Sequence, residues 1–183
     1  MALQTTRTLT EQRDQQTKAS EKRGKCAGGK FLTFVLANEE YGLEILKVRE
    51  IIGMMPITPV PRTPAHIRGV INLRGKVIPI VDLRLKFGME AKEPTDQTCI
   101  IVVDVGDVEM GIIVDEVSEV LDIDDEDIEE TPSFGSNVNT DFILGIGKAD
   151  GKVIILLDIA EVLTRSDGAV AAVENDLKTV KEV

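Results

Sequence analysis

Ten short runs of apolar residues recur between positions 31 and 157, broken by Gly, Pro or Asp. They fall at 31–37, 41–45, 48–52, 69–73 and 76–81, and again at 98–103, 109–114, 117–121, 142–147 and 152–157. The runs are too short for helices and rich in Val and Ile, so the pattern predicts ten β-strands joined by tight turns. Before them, residues 1–30 show no apolar periodicity and many Thr, Gln and Lys, which predicts a disordered tail hinged at Gly28-Gly29. Residues 168–183 are expected to form a C-terminal tail or a short helix.

The two sets of five runs are copies of one unit. The stretch GKVIPIVDL at 75–83 recurs as GKVIILLDI at 151–159, an offset of 76. The same offset carries Ile67-Arg68-Gly69-Val70 onto Ile143-Leu144-Gly145-Ile146. Earlier segments match at an offset of 69: Tyr41-Gly42-Leu43 on Met110-Gly111-Ile112, and residues 48–52 on 117–121. The second copy therefore holds seven extra residues between Leu121 and Ile143.

Five short strands per copy suggest a mainly β fold: two SH3-like five-stranded β-barrels from an internal duplication, with short helical segments. The expected boundaries are 31–93 for the first barrel and 94–167 for the second. Pro79 places its strand at an edge or a bulge. Barrels so paired would share an aliphatic groove able to receive a helix. Asp150-Gly151 suits a two-residue hairpin turn, since both residues tolerate positive φ. The matching Arg74-Gly75 is not explained by turn chemistry, which leaves a longer turn, a role for the arginine, or a surface arginine of no consequence.

Composition narrows the function. With five Phe, one Tyr and no Trp, the core must be aliphatic. One histidine and two distant cysteines exclude a zinc finger, a haem-attachment motif and a disulfide framework. The net charge of −11 argues against a general nucleic-acid binder and against docking on an anionic membrane. Residues 31–93 carry +2 and residues 94–167 carry −16. Ten carboxylates fall between Asp115 and Glu130, without the alternation and central Gly of an EF-hand loop; they read as a solvated face. No signal peptide and no membrane-length apolar run is visible, so a cytoplasmic protein is expected.

No catalytic constellation emerges. Asp82 and Asp158 are repeat equivalents, but they lack the Thr/Ser-Gly of an aspartic-protease loop and read as strand-end or helix-capping residues. His66 matches Phe142 in the repeat, which favours packing. Cys99 opens an apolar strand and reads as a small buried hydrophobe, and Cys26 falls in the tail. No Walker, dinucleotide-binding or G-x-S-x-G motif is present. A binding module is favoured over an enzyme or small-molecule sensor, with no metal and no cofactor.

Residues 31–52, FLTFVLANEEYGLEILKVREII, and 67–87, IRGVINLRGKVIPIVDLRLKF, resemble the CheW family of bacterial chemotaxis coupling proteins. Gly111-Ile112-Ile113-Val114-Asp115-Glu116-Val117 continues the resemblance, which spans roughly 31–165. It implies two SH3-like barrels and an adaptor that binds chemoreceptor cytoplasmic tips and the regulatory domain of the histidine kinase CheA. It also implies recruitment to membrane-bound receptor arrays and contacts with other CheW-like modules in rings, to which the charge asymmetry is suited. The alternative is a CheW-like adaptor of a pilus-motility or other chemosensory pathway. With the chain ending near residue 183, no fused phosphorylatable domain is expected.

Carried onto this sequence, the resemblance marks Val48 and Glu50 as receptor contacts and Arg74 as a signalling position. Gly69 and Val120 become interaction-sensitive positions, and Phe134 a kinase contact in ring assemblies. Each has a plainer reading. Val48 and Val120 suit a core, Glu50 and Arg74 an exposed ion pair, and Gly69 a bulge or close backbone approach. Glu129-Glu130 depart from relatives that carry a basic residue near the Phe134 contact.

Overall fold

A computed structural model describes residues 26–132 and 140–164. Each expected run overlaps a strand, with only Ala37, Ile45, Thr98 and Phe142 falling one residue outside: β1 (Gly29–Leu36), β2 (Glu39–Glu44), β3 (Val48–Gly53), β4 (Ile67–Leu73), β5 (Lys76–Asp82), β6 (Cys99–Val105), β7 (Val108–Val114) and β8 (Glu116–Ile123), then β10 (Ile143–Ala149) and β11 (Lys152–Leu157) after a short β9 (Ile128–Glu129). β9 lies in the stretch that holds the seven extra residues of the second copy. Helices α1 (Leu83–Lys86) and α2 (Ile159–Thr164) follow β5 and β11 at equivalent points of the repeat.

The strands form two sheets. Sheet I has the order β8-β1-β2-β11-β10-β9, and sheet II the order β3-β6-β7-β5-β4. Each sheet therefore takes its β1-β2 or β6-β7 hairpin from one copy and its other repeat strands from the other copy. The division at residue 93 follows the repeat and not the sheets. The exchange has a local cause. A single residue, Asp115, separates β7 from β8. One residue cannot reverse a strand, so the chain runs onward out of sheet II into sheet I. In the first copy a 3-10 turn, Ile45–Lys47, carries β2 into β3 in the same way.

The registers match across the repeat. Leu156 lies opposite Gly42 in the parallel β11–β2 pair, as Ile80 lies opposite Gly111 in β5–β7. Both glycines leave room for the side chain opposite: a Cβ on Gly42 would lie 2.8 Å from Leu156 Cδ2, and one on Gly111 2.5 Å from Ile80 Cδ1. Asp82 and Asp158 close equivalent strand ends, their amides donating to the carbonyls of His66 and Phe142 at 2.8 Å each. Their carboxylates then accept from the first turns of the helices, Asp82 from Arg84 N at 3.0 Å and Asp158 from Glu161 N at 3.3 Å. The capping role expected of both is what the structure shows.

Each sheet curls on itself. Sheet I runs from its edge strand β8 to its other edge strand β9 through only Asp124–Asp127, which brings the two edges together. Phe31, Ile123, Ile128, Ile154 and Leu156 fill its interior. Ile71, Ile78, Ile80, Ile100, Val102 and Ile113 fill that of sheet II.

A third and larger cluster joins the sheets, with Phe34, Tyr41 and Leu43 of sheet I packed against Val81, Ile101, Val103 and Ile112 of sheet II. The centre between the barrels is packed core and not the open aliphatic groove expected there. Four aromatic rings run through this region, Phe34–Tyr41–Phe87–Phe142, with centroids 5.8–6.0 Å apart.

Two further expectations change. β5 is an interior strand, flanked by β7 and β4, despite Pro79. Val70, opposite Pro79, uses its N–H and C=O on Thr58 at 2.9 Å each, and the ladder to β7 begins at Ile80, so neither neighbour calls on the missing N–H. A register shift lies beside it, between Ile67 and Gly69. Residues 26–30, expected to belong to the tail, are part of the fold: Cys26 packs against the sheet I core, Gly28 N–H donates to Asp125 Oδ1, and β1 begins at Gly29; the rest of the expected tail and the expected C-terminal segment 168–183 lie outside the described residues.

Candidate functional site

Arg74 and Gly75 are the two central residues of the β4–β5 hairpin, flanked by the Leu73–Lys76 pair. Their φ values are +51° and +84°, so both occupy the left-handed region of a two-residue turn. The turn is not longer than the sequence suggested. Asn72 Oδ1 accepts the Gly75 N–H at 2.8 Å and steadies it. An arginine at positive φ is disfavoured by about 1–2 kcal/mol against glycine, whereas its repeat mate Asp150, at φ +52°, is a residue type that tolerates the region.

The Arg74 side chain reaches Glu50 on β3. Its two terminal nitrogens donate to the two carboxylate oxygens at 3.2 Å and 2.5 Å. β3 and β4 are the opposite edges of sheet II, so the pair spans the seam where the curled sheet meets itself. The arginine side chain is 65% exposed and the glutamate 33%, which limits the pair to about 0–1 kcal/mol of stability.

Val48 opens β3 opposite Val103 and packs, half-buried, on the central core. Gly69 is buried on β4 with φ +135°, and a Cβ there would fall 2.0 Å from Thr58 O. Its absent side chain is what lets residues 58 and 70 pair. Val120 stands on β8, the edge of sheet I, and is 48% exposed. The structure thus brings Val48, Glu50, Gly69 and Arg74 to the edges of sheet II and leaves Val120 on an edge of sheet I. Phe134 lies outside the described residues.

Among the described residues, four of the six exposed large apolar side chains obey the repeat, which sequence reasoning missed. Ile51 and Val120 are equivalent and both exposed, as are Val77 and Val153. Leu46, in the 3-10 turn before β3, is the most exposed large apolar residue at 90%. The signal was present in the offsets of 69 and 76, but alternation within a strand does not say which face meets water.

A line of charge crosses sheet II on β3, β6, β7 and β5. Arg49 meets Asp104 at 2.7 Å and Glu109 at 4.0 Å, and Lys76 meets Glu109 at 3.1 Å. The hydrogen bond to Asp104, with its charge, holds the Arg49 guanidinium above its ordinary pKa. In sheet I the equivalent of Lys76–Glu109 is Lys152–Glu40, also at 3.1 Å, which raises the Lys152 ammonium likewise. Beyond these pairs the sheets differ. Residues 26–44, 115–132 and 140–164, which build sheet I, hold three basic and seventeen acidic residues, whereas residues 45–114 hold nine and eight. The strand exchange therefore preserves the charge asymmetry of the two halves.

The thiols and the single tyrosine are all shifted in one direction. Burial pushes Cys99 and Tyr41 up, and burial with the charges of Glu44 and Asp125 pushes up Cys26. Among the described residues, no group of three or more His, Cys, Asp or Glu side chains is placed to hold a metal ion, and no helix is long and apolar enough to cross a membrane.

Residues 30–167 match the family model for the CheW-like domain. The chain is 40% identical over 156 residues to a chemotaxis protein CheW from Klebsiella aerogenes, covering 85% of this chain and 93% of that one. It is 41% identical over 135 residues to a chemotaxis protein CheW from Rhizobium meliloti, covering 74% and 87%. The fold is similar to the crystal structure of the scaffolding protein TtCheW from Thermoanaerobacter tengcongensis, with a TM-score of 0.69, 39% identity, and 76% of this chain and 94% of that chain covered.

Proposed function

The chain belongs to the CheW family of chemotaxis scaffolds, and from that premise we propose that it couples chemoreceptor cytoplasmic tips to the regulatory domain of the histidine kinase CheA. In this reading it is a binding module and not an enzyme. It works by holding receptor and kinase in register within membrane-associated arrays, so that a receptor's state biases an existing kinase equilibrium. Phe134 belongs to the same reading as a kinase contact.

The observation that carries the assignment of the receptor surface is the seam of sheet II. The Glu50–Arg74 pair stands there beside half-buried Val48, with exposed Ile51 on the same strand and exposed Leu46 just before it. An apolar strip bordered by a fixed charge pair suits the apolar face of an amphipathic helix that carries charges at its margin. Arg74 favours this reading because it holds a backbone conformation that a glycine would adopt more easily.

The test is reconstitution of receptor, kinase and this chain with Glu50→Lys and with Arg74→Ala. Loss of receptor binding or of kinase control in correctly folded variants is expected. Wild-type binding and control in both would remove the seam as the site.

A further inference from the structure

The two places where the chain crosses between sheets are repeat equivalents, yet they are held very differently. Asp115 links β7 of sheet II to β8 of sheet I, and its mate at an offset of 69 is Leu46. Asp115 is tied on three sides. Its carboxylate Oδ2 accepts from Arg84 Nη1 at 2.6 Å and from the Ala37 N–H at 3.0 Å, and its own N–H donates to Val35 O at 3.1 Å. Arg84 lies in α1, directly after β5 of sheet II, while Val35 and Ala37 belong to β1 and its turn in sheet I. The guanidinium is itself fixed by donating from Nε to Glu90 O at 2.9 Å. At 15% and 14% exposed, the Arg84–Asp115 pair is the least exposed of the ion pairs described, and so the one least screened by solvent.

Leu46 has none of this. It sits in a three-residue 3-10 turn with no buried residue and no side-chain cap, and its side chain is 90% exposed. One crossover is latched by a charge-assisted knot; the other has no such knot and is held by half-buried Ile45 against the central core and by the Val48 N–H on Ile45 O.

We propose that this asymmetry is a conformational device: the Arg84–Asp115–Ala37 knot is the fixed pivot between the two sheets, and the Ile45–Lys47 turn is the compliant side on which they open and close. The packed core between the sheets limits the motion to a small rotation about the knot, of the hinge-and-shear kind. As Leu46 and the turn directly precede the seam strand β3, the rotation would move the receptor surface of the reading above relative to sheet I. The hinge itself is a property of the isolated chain and is tested without receptor or kinase.

Two measurements on the full-length chain decide it. In the unmutated protein, native-state amide exchange at Leu46 and Lys47 is expected to be about a hundredfold faster or more than at Asp115 and Glu116; equal protection at the two crossovers overturns the proposal. For the pivot, spin labels on Val77→Cys and Val153→Cys, exposed equivalents on sheets II and I, in a Cys26→Ala, Cys99→Ala background report the distance between sheets. One narrow distance distribution is expected with Asp115 and Arg84 intact, and a shifted or second population with Asp115→Asn or Arg84→Met. An unchanged distribution in a folded variant overturns the pivot. If neither variant folds, the exchange comparison alone upholds or overturns the proposal. Whether receptor coupling changes in these variants bears on the coupling reading and not on the hinge.

Discussion

The guanidinium of Arg74 lies 2.5 Å from the carboxylate of Glu50, although the two residues stand at opposite edges of one sheet. The contact closes a seam, yet both partners are open to solvent and the arginine sits at φ +51°. Asparagine tolerates that conformation far better. Arg74→Asn is therefore expected to leave stability unchanged or raise it by up to about 1 kcal/mol, because relief of backbone strain offsets a weak ion pair. Urea unfolding checks the stability, and reconstituted kinase control is expected to fall. A variant that is clearly destabilised would show that the pair holds the sheet closed.

Gly69→Ala should behave in the opposite way. The new Cβ meets Thr58 O at 2.0 Å and the residue keeps φ +135°. Relief requires the strap at Thr58 to leave Val70, with loss of both backbone bonds between them. A destabilisation of about 3 kcal/mol or more is expected, read from the denaturation midpoint. A loss of function at Gly69 would then follow from displacement of the strap and not from a lost contact.

Gly111→Ala offers a cleaner test of the packing, because the atoms it meets are side-chain methyls, Ile80 Cδ1 at 2.5 Å and Ile100 Cγ2 at 2.9 Å. The single substitution is expected to cost about 1–3 kcal/mol as overpacking. Ile80→Val removes the Cδ1 methyl, and the double variant should recover part of the loss, giving a favourable coupling in a double-mutant cycle. Strict additivity would mean that the strain is carried elsewhere.

The raised thiols and tyrosine fix the sign of the alkaline limb of stability. Burial keeps Cys99, Cys26 and Tyr41 protonated to higher pH in the folded chain than in the unfolded one. Above about pH 8.5 the unfolded state releases protons that the folded state retains, so stability falls as pH rises. Cys99→Ala and Tyr41→Phe should each flatten that fall. Their unfolding free energies measured from pH 7 to 10.5 provide the check, and an unchanged alkaline slope in both would contradict the assignment.

The strands and the duplication were legible because alternation and an aliphatic composition survive in any arrangement of the sheets. That the repeat-equivalent glycines Gly42 and Gly111 stand where parallel strands meet emerges only in the structure. What the pattern could not carry is which copy each strand joins. That is decided by a single residue, Asp115, too short a link to turn the chain back. The seam had the same fate: Glu50 and Arg74 are 24 residues apart, and only the curl of sheet II makes them neighbours. Of the edge or bulge that Pro79 suggested, the edge is absent and a register shift lies beside it; an interior strand tolerates the proline because Val70 already bonds to Thr58.

The exchange of hairpins makes the sharpest prediction about the chain as a whole. If residues 31–93 and 94–167 were separate barrels, each would fold alone. In the structure, the first segment supplies β1 and β2 to sheet I but β3, β4 and β5 to sheet II, and the second supplies the complement. Either fragment alone would expose the faces of Phe34, Leu43, Ile101 and Ile112, which are fully buried in the whole chain. Chains cut between residues 93 and 94 are therefore expected to be unfolded singly, by circular dichroism and amide exchange, and to fold when mixed at equal concentration. The break falls in an exposed connection between β5-α1 and β6, where a nick costs little, so the recovered complex should bind as the intact chain does. A fragment that folds cooperatively by itself would show that its strands pair within one copy and would overturn the exchanged topology.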